Sequence, residues 1–264
     1  MNTSISAKQG IRRMGLILSL LFFIIPGALY GLMLYVVTPL LVASGMKSLY
    51  AQLLTDSFVF ASLLVAAIIA YRLEGRAWTW LGLKDRFRLT RMNGKLWLWV
   101  LGGTVVGFIV YYLFTPLGNR LIAQGVIPLP AHIPAWLDPR VTTPMVEKIN
   151  MDAGGLRGNW LLFAMAAGTF FFNIVGEEFW WRGYILPRQE LSFGKWTWLI
   201  HAMMWSVFFH AFKYWDLVGL LPAQLVFVYV VSRTKSTTVA MWLHIFTNIS
   251  FPLFVLMGVL GVGM

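Results

Sequence analysis

The chain has no cysteine, so disulfides, thiolate nucleophiles and cysteine-bound metals are excluded. It is also poor in charge: Asp, Glu, Lys and Arg make up 12% of its 264 residues, about half the share of a soluble globular domain. Acid is scarcest, with 10 carboxylates against 21 Lys and Arg, and there are four histidines. In so apolar a chain a buried carboxylate or imidazole is costly, which means that it is paired, faces a cavity or does chemistry. No stretch has the composition of an independent soluble unit, and no internal repeat suggests an inverted-repeat transporter.

What fills the chain is apolar sequence, with 59% hydrophobic residues and a mean hydropathy of +0.73. This pattern predicts an all-α fold, a polytopic integral membrane helical bundle forming one domain over residues 1–264. Seven crossings are expected, with six to eight compatible with the boundaries: about Met14–Ala43, Ala51–Tyr71, Leu96–Leu113, Trp160 to Pro187, Trp196–Phe212, Leu217–Val231 and Thr237–Met257. The first is too long for a signal-peptide core and reads as an uncleaved span, kinked by Pro26, Gly27 and Pro39. Asp56, near the start of the second, is expected at the interface, where an acid suits a helix N-terminus. Residues 72 to 95 read as a basic loop. Trp97, Trp99, Tyr111 and Tyr112 bracket the third span as interfacial aromatics do. Thr115–Asn159 reads as a long outer loop, holding PLPAHIPAW. A loop of this length is expected to cap a cavity or to lie on the membrane through Ile133 and Trp136. His132 within it reads as an ordinary loop histidine.

A formal net charge of +11 invites a nucleic-acid reading, but the cations are scattered between apolar segments and no nucleic-acid partner is expected. Bilayer orientation explains them. With the N-terminus inside, Lys8, Arg12, Arg13, seven cations in residues 72–95, Arg182, Arg188, Lys195, Arg233 and Lys235 fall on the inner side, fifteen in all. Six fall outside: Lys47, Arg120, Arg140, Lys148, Arg157 and Lys213. The positive-inside rule therefore predicts a cell-membrane protein with a cytoplasmic N-terminus.

The chemistry concentrates in Gly176–Gly183, GEEFWWRG. Glu178 and Arg182 are four apart with Glu first, the favourable order for a helical ion pair. Glu177 is turned by about 100° from that pair and is free to face a cavity as a general base. The blander reading is a buried structural network. His244 and Asn248 are also four apart on one face and suit holding a water or an oxyanion, or simply joining helices. His210 and His201, nine apart, point to opposite sides of their helix; His210 is taken as functional and His201 as interfacial. At ~1.5 Å per residue, Glu177, His210 and His244 fall roughly 10–20 Å above the inner surface, close enough in depth to converge.

These motifs resemble those of the CPBP group of intramembrane proteases, which includes the eukaryotic CAAX-processing endopeptidase and bacterial bacteriocin-processing or self-immunity proteins. Its first motif is matched by Glu177, Glu178 and Arg182 followed by Gly183, and its last by His244 and Asn248. The histidine of its middle motif is matched by His210, although the phenylalanine at minus four is here Ser206, with Trp205 beside it. The resemblance covers roughly residues 160–257. It implies a peptidase in which Glu177 activates water, His210 assists that water, His244 and Asn248 stabilise the oxyanion, and Glu178 and Arg182 orient the helix. The partners it implies are the bilayer and a peptide or protein substrate, lipid-modified or not, reaching the site from the inner face or from lipid.

No cofactor is expected on this reading. The alternatives are a zinc protease with Glu177, His210 and His244 as ligands, though HExxH is missing, and a non-catalytic membrane scaffold of the same fold.

Overall fold

The computed structural model describes residues 10–131 and 133–262; Lys8 and His132 lie outside them. Every regular element among the described residues is helical, as the apolar runs require, because a helix satisfies its own backbone in lipid. Helix α1 (Leu16–Leu32) continues through a π-helical turn, Met33–Val37, into α2 (Thr38–Ala43). Pro39 stands in the first turn of α2, where its missing N–H is harmless. The widened turn before it takes up the strain that the sequence predicts as a kink. Then come α3 (Ser48–Leu73), α4 (Trp80–Arg86), α5 (Gly94–Ala123), α6 (Met145–Ala153) and α7 (Trp160–Glu177). A π-helical turn, Glu178–Ile185, joins α7 to α8 (Leu186–Phe193). Next, α9 (Thr197–Met204) leads through a π-helical turn, Trp205–Phe209, and a 3₁₀ segment, His210–Asp216, into α10 (Leu217–Thr234). The chain ends in α11 (Thr237–Asn248) and α12 (Ser250–Val259), bent by 43° at Ile249.

Four runs are long and apolar enough to cross a membrane: Leu16–Ala43, Ser48–Leu73, Gly94–Ala123 and Trp160–Thr234; the bent α11–α12 pair makes a fifth. The protein is a multi-pass membrane protein. Its fourth run, at 75 residues, would be several bilayers long if straight. It is not straight, because α9 packs along both α8 and α10. The difference from the expected seven crossings lies in this run, where π and 3₁₀ turns replace loops.

Two segments differ from their expected form. The basic loop contains α4, whose N-terminus is capped by Thr79. The expected outer loop is shorter than Thr115–Asn159, since α5 continues through Pro116 to Ala123 and α6 takes up part of the remainder. Trp136 belongs to the cap, not to the membrane surface: its Nε1 donates to Gln52 Oε1 at 2.9 Å and its ring lies 4.7 Å from that of Phe251.

The two ends of the bundle have different chemistry. At the basic end Glu74 gathers Arg86 at 2.6 Å, Arg76 at 3.1 Å and Arg188 at 3.8 Å, and Glu190 pairs with Arg88 and Lys235. Burial works against charge on Glu74, but the hydrogen bonds and charges of Arg86 and Arg76 outweigh it and hold the carboxyl below its usual range. Among the described residues the opposite end has only local ion pairs, Asp138 with Arg140 and Asp216 with Lys213, and is tied across elements by bonds such as Tyr50 to Asn159 and Gly158 N–H to Val259 O, each at 2.9 Å. Between the ends, helices meet closely at glycine. A Cβ on Gly176 would collide with the Phe60 carbonyl of α3, so α3 and α7 can approach only because that residue is glycine.

Candidate active site

The site is built on the π-helical turn after α7. Widening a helix to π geometry displaces carbonyls from their usual partners, and Arg86, buried on α4, donates to Gly183 O at 2.8 Å and Tyr184 O at 3.4 Å. On the inward face of that turn Glu178 and Arg182 are completely buried, with Arg182 Nη1 donating to Glu178 Oε1 at 3.2 Å. The same oxygen lies 2.8 Å from His244 Nδ1 of α11. Arg182 lies between two aromatic faces, 4.5 Å from the ring centroid of Trp205 and 4.7 Å from that of Phe227. Its Nε and Nη2, like Glu178 Oε2, have no hydrogen-bond partner among the described residues, so the ring quadrupoles supply the attraction that further acceptors would give.

Glu177 points elsewhere, as its 100° offset requires. Its Oε1 accepts from Asn173 Nδ2 at 2.8 Å and its Oε2 from Trp205 Nε1 at 3.1 Å. Two neutral donors position this carboxylate without neutralising it. His210 opens the 3₁₀ segment, with Nδ1 3.1 Å from Trp205 O. A carbonyl can only accept, so Nδ1 carries the proton and Nε2 is left as an acceptor. His244 is anchored through Nδ1 on Glu178 in the same manner, which leaves its Nε2 for the cavity.

Glu177, Arg182, His210, His244 and Asn248 all line one cavity of about 220 Å³, and Glu178 stands behind it. The structure thus brings the four proposed catalytic residues to one chamber. Asn248 differs from expectation in detail: its Nδ2 donates to His244 O at 3.2 Å and Thr247 Oγ1 at 3.0 Å, leaving only Oδ1 uncommitted.

His201 is outside the chamber and is not interfacial, being fully buried with Nδ1 2.6 Å from Gln189 Oε1. Asp56 is not interfacial either. It is buried eight residues into α3, accepts from Tyr30 Oη at 2.7 Å and lines the chamber. It lies beyond the first turn, where a helix N-terminus would explain it.

Sequence reasoning missed Asn173 and Trp205. Asn173 carries a usable signal, since it precedes Glu177 by one helical turn. Trp205 carries none, because the π turn that aims its indole is invisible in the pattern of residues.

No group of three His, Asp or Glu converges as a metal site among the described residues. What the arrangement offers is a buried carboxylate able to take a proton from water, an imidazole acceptor beside it, and a second imidazole backed by a carboxylate and a guanidinium. No curated protein and no solved structure gives a significant match to the chain. Residues 159–250, which carry every one of the motifs, match the family model of the Type II CAAX prenyl endopeptidase Rce1-like proteins, within the CPBP group that the motifs resemble.

Proposed function

We propose that the protein is an intramembrane endopeptidase that hydrolyses a peptide bond of a membrane-associated peptide or protein, with Glu177 as general base. The observation that carries this reading is the meeting of Glu177, His210 and His244 in one cavity, with the Glu178–Arg182 pair behind them. Glu177 removes a proton from a water whose other hydrogen is accepted by His210 Nε2, and the hydroxide attacks the peptide carbonyl carbon. The developing oxyanion is met by His244, which donates from Nε2 when protonated and held through Nδ1 by Glu178. Asn248 contributes a second donor once its amide leaves the His244 carbonyl. The proton taken by Glu177 passes to the leaving amine as the C–N bond breaks, which restores the carboxylate. Glu178 and Arg182 position these groups, no metal takes part, and the chain lies in the cell membrane with its N-terminus in the cytoplasm. A CAAX terminus is one substrate compatible with this chemistry and is not required by it.

The test is cleavage of a broad pool of peptides and membrane proteins by the purified protein in nanodiscs, compared with Glu177→Gln and with added chelator. Cleavage lost in the variant and retained with chelator supports the reading. Loss with chelator moves the assignment to a metal site. A Glu177→Gln protein that keeps its full cellular role refutes catalysis and leaves a scaffold.

A further inference from the structure

The cavity has a direction. Its floor is Glu177, Arg182 and Trp205, and its walls rise through Asp56, Gln52 and Gln224 to Trp136, Leu137 and Lys213. The upper residues come from the less basic end of the bundle: the start of α3, the segment between α5 and α6, the 3₁₀ segment before α10 and, for Gln224, the first half of α10. No residue of 74–93, 186–197 or 234–237, the connections of the basic end, lines it. Beneath the floor the core is closed by Phe87, Trp181, Tyr184 and Ile185, all buried. At the top, Trp136, Leu137 and Lys213 also line a second, surface cavity beside α5, so the two spaces meet at these residues. After Asn248, α12 bends by 43° and packs on α6 and α7, whereas α10 packs on α5 and α9. Asn248 is exposed where the two diverge.

From this geometry we infer that substrate reaches the site from the face that carries residues 124–159, opposite the basic loops, so that the scissile segment is presented on the non-cytoplasmic side. The inference deepens the peptidase reading and rests on it for the word substrate; the end of the bundle that gives access rests on the lining, and its place on the non-cytoplasmic side rests on the proposed orientation. It departs from the inner-face alternative of the sequence expectation, which is access from the inner face or from lipid. The upper walls suit an extended peptide. Asp56 has no cationic partner among the described residues, and Gln224 Oε1 is a buried acceptor without a donor. Both are acceptors that the N–H groups of an incoming chain would satisfy. A chain exported across the membrane, or the outer segment of a membrane-anchored one, meets the requirement. A soluble cytoplasmic tail does not.

The natural absence of cysteine makes the test direct. Single cysteines are placed at Leu137 and Gln224 in the cavity wall, at Val126 as a marker of the less basic end, and at Arg91 as a marker of the basic end. Each full-length variant is treated with a small, charged, membrane-impermeant methanethiosulfonate, in intact cells and in inside-out vesicles. The expected result is that Leu137→Cys and Gln224→Cys label in intact cells together with Val126→Cys, while Arg91→Cys labels only in inverted vesicles. Thr247→Cys replaces Gln224→Cys if the latter does not fold. Cavity cysteines that label with Arg91→Cys, or from neither side, overturn the inference, as does labelling of Val126→Cys from the cytoplasm. None of these outcomes depends on activity, so loss of the access inference and loss of the peptidase reading are separable.

Discussion

Glu178 and His244, 66 positions apart in the chain, meet through one carboxylate oxygen and one ring nitrogen at 2.8 Å. That bond is where α11 is registered against the turn after α7, and it fixes which imidazole nitrogen faces the cavity. Removing the carboxylate strands both Arg182 and His244 in the core. Glu178→Ala is expected to destabilise the protein by about 3–5 kcal/mol, the usual cost of breaking a buried ion pair from one side. Thermal unfolding in detergent checks it. Glu178→Gln keeps an acceptor for His244, and should recover part of that stability while activity stays low, because a neutral amide no longer backs the His244 donor with negative charge.

Trp205 performs two tasks that one substitution separates. Trp205→Phe removes the Nε1 donor to Glu177 and keeps an aromatic face for Arg182. Activity should fall by roughly 10-fold or more, with stability changed by about 1 kcal/mol, the net worth of one hydrogen bond. Comparing kcat with unfolding temperature tests this; a large loss of stability without loss of kcat would refute it.

Chelation should leave cleavage intact. Asn173 and Trp205 hold Glu177 toward the cavity as a base, and Glu177, His210 and His244, although they line one cavity, are not grouped closely enough to hold a metal ion. Elemental analysis of the active protein should find less than one equivalent of zinc, and added EDTA should not lower the rate.

Acid should loosen the basic end first. The folded carboxyl of Glu74 is held below its unfolded value by Arg86 and Arg76, against burial. Its contribution is therefore complete above the unfolded carboxylate pKa and is lost as pH falls through the depressed folded one. Glu74→Gln should lower the unfolding temperature at neutral pH and make the acid limb of the stability profile shallower. A wild-type and variant profile that stay parallel down through the carboxylate range would contradict this.

Gly176→Ala tests the packing under the motif. The added methyl meets the Phe60 carbonyl of α3, a backbone atom that cannot turn aside. A cost of about 1–3 kcal/mol is expected from such overpacking. Because Glu177 is the next residue, the displacement should also reduce cleavage by more than the loss of folded protein explains.

The sequence was most legible where a residue's neighbour in space is also its neighbour one helical turn away. The Glu178–Arg182 pair and the separate direction of Glu177 follow from α-helical spacing and survive the change to π geometry. The opposite placement of His201 and His210 follows in the same way. Contacts made across elements were not legible: Trp205 on Glu177, Arg86 on Gly183, and His244 on Glu178 each join segments distant in the chain. Asp56 was misplaced for a related reason. Counting from a helix start locates a residue along the axis but cannot say that Tyr30 and a cavity wait beside it. The segment Thr115–Asn159 read as loop because the aromatics Tyr111 and Tyr112 marked the end of the span, yet α5 runs on through Pro116. A proline is tolerated in a long apolar helix whose neighbours and polar side chains re-satisfy the freed carbonyl.

The aromatic and ion-paired plug beneath Glu178 makes the chamber a blind well. A polar space set deep in a bilayer would short-circuit the membrane if it ran from one side to the other, and here Phe87, Trp181 and Tyr184 close it while Arg86 and Glu74 clasp the closure from below. Water and a peptide can therefore occupy the site while the electrical insulation of the membrane stays intact. With the basic end closed, the proposed cutting is limited to chains that enter from the opposite face, never to what would have to thread across the membrane.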